Sequence, residues 1–215
     1  MARMSAVVFT LKRTLLVQSI WPVVAVAVLS AWVGTWLATH SLGADEGFLE
    51  EVRHGSMLFA ALLTLSLAEP LQTSDEVRSG QLMLRHAKGG GFALPARWAG
   101  LSLSLLPVMA LAALAAGGLP SSLAGLIGQV GVLVAGGLAL GAFLERKHLV
   151  PALWCLAILG QLRPWLATLE GSAAWSWVVP DLGSVGSGVA WLHGLCWALG
   201  VLAIAQGRLT AVSAR

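Results

Sequence analysis

The chain has 215 residues, of which 57% are hydrophobic and only 11% charged, with a net charge of +3. A soluble domain of this length carries about a quarter charged residues, so the composition excludes an ordinary water-soluble globule and makes the bilayer the main solvent. The basic excess lies beside apolar runs and forms no stripe interleaved with exposed aromatics, which argues against a nucleic-acid partner.

Residues 1–13 form an amphipathic lead-in, with Val7, Val8, Phe9 and Leu11 beside Lys12 and Arg13. Such a segment suits the membrane interface. The apolar stretch from about Thr14 to Thr39 is too long for a signal-peptide core and lacks a small-residue cleavage site, so it reads as a first span. Pro22 is placed to kink it, and Trp32 and Trp36, one turn apart, suit the headgroup layer. Asp45, Glu46, Glu50 and Glu51 then face Arg53 and His54 in what reads as a solvated acidic cap.

A second span covers about Ser56 to Leu71, with Glu69 and Pro70 near its end. Residues 72–96 are the longest polar connection. Span three, about Arg97 to Leu119, stops at Gly117, Gly118 and Pro120. Span four, about Leu123 to Leu144, carries Gly125, Gly128, Gly131, Gly136, Gly137 and Gly141. Small residues let membrane helices approach closely, so this stripe predicts a tightly packed interior helix or a dimer-forming one.

After Glu145-Arg146-Lys147-His148, span five runs from about Leu149 to Leu169, and span six from about Val185 to Gln206. Between them, Trp175, Trp177, Pro180 and Asp181 stand among glycines and serines, too broken for another span. A re-entrant or interfacial hairpin over 170–185 and a plain loop both fit. Cys155 and Cys196 lack CxxC spacing and read as small buried hydrophobes. The histidines at 40, 54, 86 and 148 are scattered, without metal-ligand spacing.

The basic residues fix an orientation. One side of the membrane holds Arg3, Lys12 and Arg13, then Arg78, Arg85, Lys88 and Arg97, then Arg146 and Lys147, then Arg208 and Arg215. The other side holds only Arg53 and Arg163. Cytoplasmic loops retain excess Lys and Arg, so both termini are expected inside. The expected fold is all-α: one polytopic domain over 1–215 with six transmembrane helices, in a bacterial inner membrane. Arg163 falls about 22 Å beyond His148 along its helix, in the outer part of the bilayer. Its readings are snorkelling to headgroups, meeting an anionic group, or pairing with Glu170.

The inner loop carries the most informative pattern. Ser74 or Asp75 can N-cap a short helix with acidic groups in its first turn. Val77, Leu82 and Leu84 fall mostly on one side, and Arg78 and Arg85 on another. Such a helix suits docking to a soluble partner or resting on lipid. The stretch Glu69 to Gly80, followed by Leu82 and Leu84 and a new span at Arg97, resembles the ABC-2-type transporter permeases. Glu76, Gly80, Gln81, Leu82 and Leu84 occupy that family's acid–glycine–leucine places. The variant is similar to the haem-exporter B subunit of cytochrome c maturation. Trp177-Val178-Val179-Pro180-Asp181-Leu182 resembles the stretch before the family's last helix.

The resemblance implies an export permease that forms the translocation path with a second copy or a related permease. It also implies a separate ABC ATP-binding subunit, which would hold the ATP and Mg. Asp75, Glu76, Arg78, Gly80, Leu82, Leu84 and Arg85 would couple to that ATPase. Arg163, Glu170, Pro180 and Asp181 would line the path or an outer gate. The chain itself has no Gly-Lys-Ser/Thr phosphate loop, so no cofactor and no catalysis are expected in it. Two other readings stand beside this one. Gly183-Ser184-Val185-Gly186-Ser187-Gly188 with His193 is similar to rhomboid-type intramembrane serine hydrolases, although Ser187 and His193 share one helix. A non-catalytic membrane scaffold of a larger complex is the other.

Overall fold

The computed structural model describes residues 20–68, 71, 94–119, 123–166, 179–180, 182 and 188–213. They form six helices: α1 (Ile20–His40), α2 (Glu46–Leu67), α3 (Leu94–Ala115), α4 (Leu123–Phe143), α5 (Arg146–Leu166) and α6 (Gly188–Ser213). No strand occurs among the described residues. Four of the helices, α1, α3, α4 and α6, are long and apolar enough to cross a membrane. In α2, Glu46, Glu50, Glu51 and Arg53 all fall in the first half of the helix and set it apart; in α5, Arg146 and Lys147 stand at the start and Arg163 near the end.

Local chemistry decides where the helices begin and end. The acidic stretch expected as a solvated loop is instead the first part of α2. Asp45 is its N-cap, accepting the Phe48 N–H at 2.9 Å. Glu46 in the first turn complements the helix dipole, and Glu50 pairs with Arg53 at 3.5 Å one turn on. Polarity marked these residues as loop, yet capping and spaced charges make them helical. At the end of α3, the Gly117 N–H reaches Leu114 O at 3.2 Å and the Gly118 N–H reaches Ala113 O at 2.9 Å. Gly117 has φ +87°, the positive angle that this helix-stop motif requires. Pro107 sits inside α3 without ending it. Pro22, placed by the sequence to kink the first span, lies in the first described turn of α1.

Successive helices run antiparallel. Gly34 of α1 faces Val52 of α2, and Gly137 of α4 faces Leu153 of α5. Arg53 near the start of α2 meets Ala116 just past the end of α3. The alternation makes α4 and α6 parallel, with Val132 beside Gly194 and Ala142 beside Arg208. We call the end where α1, α3 and α5 finish the upper end, and the opposite one the lower end.

Helix α4 is the centre, and its glycines are the reason. A Cβ at Gly131 would stand 3.2 Å from the Trp98 ring, and one at Gly136 would stand 2.5 Å from Leu156 and 3.2 Å from Trp197. Trp98 also donates its indole N–H to Gly131 O at 2.7 Å. The core around α4 includes Met57, Leu65, Leu101, Leu133, Leu138 and Leu153. Helix α1 lies outside this core on a smaller seam of Val24, Ala27, Ala31, Ala60, Val108, Ala112 and Ala116.

Much of the outer surface is apolar, which is compatible with contact with a bilayer. Trp21, Leu29, Trp32 and Trp36 of α1 and Leu192, Leu199 and Ile204 of α6 all face outward. Cys155 and Cys196 are exposed on this surface too, so the expectation that they are buried was wrong. A small apolar side chain is equally at home against lipid, and an apolar run alone does not say which face a residue takes.

Candidate functional site

Several polar side chains of the bundle gather towards its upper end. His54 lies in the third turn of α2, Gln129 in the second turn of α4, Gln161 and Arg163 near the end of α5, and His193 in the second turn of α6. A short piece of chain between α5 and α6 comes back onto this end. Val179, Pro180 and Leu182 are all buried there, although they belong to no helix.

Leu182 is held by its backbone. Its N–H donates to Gly160 O at 3.1 Å. Its carbonyl accepts two side-chain amides, Gln129 Nε2 at 2.9 Å and Gln161 Nε2 at 2.8 Å. The sequence of α5 prepares the first of these bonds. In a regular helix Gly160 O would accept the N–H of residue 164, which is proline and has none. Gly160 also makes the approach possible, since a Cβ there would stand 2.7 Å from Leu182 Cδ1 and 3.1 Å from Pro180 O.

Behind this contact the polar groups are incompletely matched. Gln129 is 6% exposed, and its Oε1 has no hydrogen-bond partner. The His54 ring stands against the Gln129 side chain, and neither ring nitrogen completes a hydrogen bond of good geometry. An unsatisfied buried donor or acceptor costs about 1–3 kcal/mol, so such groups call for a reason.

Arg163 points towards α6, where Nη1 lies 3.3 Å from His193 Nδ1. The guanidinium can only donate, so this bond requires His193 Nδ1 to act as the acceptor. His193 is thus a neighbour of Arg163 that the sequence reading, with snorkelling, an anionic group or Glu170, did not name. Glu170, the other suggested partner, lies outside the described residues. On α2, Arg53 Nε donates to Ala116 O at 3.4 Å, placing a cation at the carbonyl end of α3.

Of the residues expected at a path or gate, Arg163 and Pro180 are thus both at the upper end, whereas Asp181 and Glu170 lie outside the described residues. So do Asp75, Glu76, Arg78, Gly80, Leu82, Leu84 and Arg85, the expected ATPase-coupling residues, and Ser187, the hydrolase nucleophile. His193, the base in that reading, is engaged with Arg163. Among the described residues, no group of His, Cys, Asp or Glu side chains could hold a metal ion.

Sequence reasoning missed His54, Gln129, Gly160, Gln161 and Leu182. One signal was present: Gln129 and Gln161 are isolated amides in otherwise apolar segments, and such residues ordinarily face the bundle interior. Compared with known proteins, the chain matches no family model, no curated protein and no solved structure.

Proposed function

We propose that this chain is the membrane subunit of an ATP-driven exporter of the ABC-2 type. It crosses a bacterial inner membrane six times, with both termini cytoplasmic and the lower end facing the cytosol. The observation that carries the reading is the convergence of elements at the lower end. The connection leaving Leu71 and rejoining at Leu94 springs from there, beside the α4–α5 turn and the end of α6. Arg97, Arg146, Lys147 and Arg208 share that end, whereas Arg53 and Arg163 lie at the other. This distribution supports a cytosolic lower end. Helices α2 and α5 complete the six spans, with their charged residues at the membrane surfaces and their middles packed in the bundle.

In this reading the helix around residues 73–88 docks on a separate ATP-binding subunit, which holds the ATP and Mg. Closure of that subunit moves the docked helix. The upper ends of α5 and α6, with Arg163, Glu170, Pro180 and Asp181, respond. Two copies of the chain, or this chain with a related permease, enclose the path.

The test is a cross-link from Gly80→Cys, with Cys155 and Cys196 both replaced by alanine, in native membranes. The expected adduct contains a nucleotide-binding ATPase. Glu76→Lys or Arg78→Glu should lower its yield about tenfold, the scale of a broken interfacial charge contact. Cross-linking to lipid alone, with no ATPase adduct, would overturn the reading.

A further inference from the structure

Leu182 fills a site that is built for an oxygen acceptor. Two glutamine amides from different helices converge on one carbonyl oxygen, at 2.9 and 2.8 Å. The oxygen belongs to a short stretch outside any helix, Val179, Pro180 and Leu182, which is held to α5 through Gln161 and through the Gly160 carbonyl that Pro164 leaves open. Next to the site, neither ring nitrogen of His54 nor Gln129 Oε1 completes a hydrogen bond of good geometry while Leu182 is in place. A contact whose only purpose was to hold the loop would not need a second buried polar pair, Gln129 Oε1 against the His54 ring, beside it.

We propose that Val179, Pro180 and Leu182 are a removable strap over a neutral hydrogen-bonding site. Leu182 O stands where a carbonyl or hydroxyl oxygen of the transported molecule binds once the strap lifts. Gln129 Nε2 and Gln161 Nε2 donate to that oxygen. Gln129 Oε1 and the His54 ring supply the matching acceptor and donor, which a hydroxyl or amide satisfies and Leu182 does not. The groups that reach the ligand are two amides and an imidazole, and Glu50, which acts on the His54 ring from one turn away, is paired with Arg53 at 3.5 Å, so the ligand group is neutral. Arg163, the cation on α5 beyond Gln161, is turned to His193. Only the naming of the ligand as cargo rests on the permease reading.

The test uses the full-length chain with Cys155→Ala, Cys196→Ala and a reporter, Val179→Cys, purified in detergent. Val179 is 5% exposed, so the reporter reacts with maleimide only when the strap lifts. Gln129→Leu and Gln161→Leu should each speed labelling about fivefold, the effect of one lost hydrogen bond. Gly160→Ala should speed it about tenfold, because the new methyl group pushes against Leu182. Adding Leu182→Ala to Gly160→Ala makes room again and should bring labelling back towards the parent rate. That rescue separates strap release from general unfolding. N-acetyl-L-leucinamide, which offers the same carbonyl and side chain as Leu182, should raise labelling of the parent protein but not of the Gln129→Leu/Gln161→Leu protein. Equal labelling in all variants would overturn the strap. No response to the amide would overturn the ligand site. Neither measurement involves an ATPase, so both failures are distinct from a failure of the cross-linking test.

Discussion

Helices α1 and α4 are both long, apolar and free of Asp, Glu, Lys and Arg, yet the molecule uses them in opposite ways. Of the apolar window of α4, 72% is buried inside the protein, against 22% for α1. Their hydropathy cannot explain this difference, since both qualify equally as spans. Glycine does. Gly131, Gly136 and Gly137 open α4 to Trp98, Trp197, Leu156, Leu153 and Leu71. In α1, the bulky residues Trp21, Leu29, Trp32 and Trp36 point outward, and the buried ones are three alanines with Ile20 and Val24. Apolarity puts a helix in the membrane, and the absence of side chains puts it in the middle.

That contrast can be broken by making the same change in both helices. Leu133→Ala in α4 removes a side chain that is 1% exposed and leaves a cavity in the core. Thermal unfolding in detergent should show a loss of about 2 kcal/mol, the low end of the range for core leucines, because detergent or lipid lessens the transfer part of the cost. Gly136→Ala should cost about 1–2 kcal/mol, since Leu156 can yield but the Trp197 ring resists. Trp98→Phe keeps most of the ring and loses the bond to Gly131 O, for about 1 kcal/mol. Leu29→Ala in α1 repeats the first substitution at a side chain 60% exposed, and should change stability by less than about 0.5 kcal/mol. Equal losses from Leu29→Ala and Leu133→Ala would mean that α1 is packed against something in solution, such as a second copy.

Much of this architecture was legible in the residues. All six apolar segments became helices, and of the two roles that the glycine run of span four suggested, interior or dimer-forming, the structure shows the interior one. What failed was the reading of faces and ends. Asp45 to His54 looked like loop because it is charged, but an N-cap and a one-turn ion pair draw it into α2. Cys155 and Cys196 looked buried because their segments are apolar. The polar site was harder still. Arg163 was picked out as a charge in an apolar segment and Pro180 through the resemblance of its stretch to a family's last loop. Gln129 and Gln161 were not, because their shared partner is a backbone oxygen 53 and 21 residues away along the chain. No side-chain pattern announces a main-chain acceptor. The absence of an N–H at Pro164 was the nearest thing to a written clue.

The alanine seam beneath α1 carries a mechanical consequence. Among the described residues, no hydrogen bond or ion pair ties α1 to another helix. Its contacts with α2 and α3 are methyl groups and valines, a surface of shallow relief with nothing to unhook. On the opposite flank, Arg208 pins α6 to the end of α4 through Ala142 O at 3.1 Å and lies over the Phe143 ring at 4.8 Å. The bundle is therefore stiff along one side and smooth along the other. Any rearrangement that spares polar bonds will take the smooth side, with α1 sliding as a bearing against a body that keeps its shape.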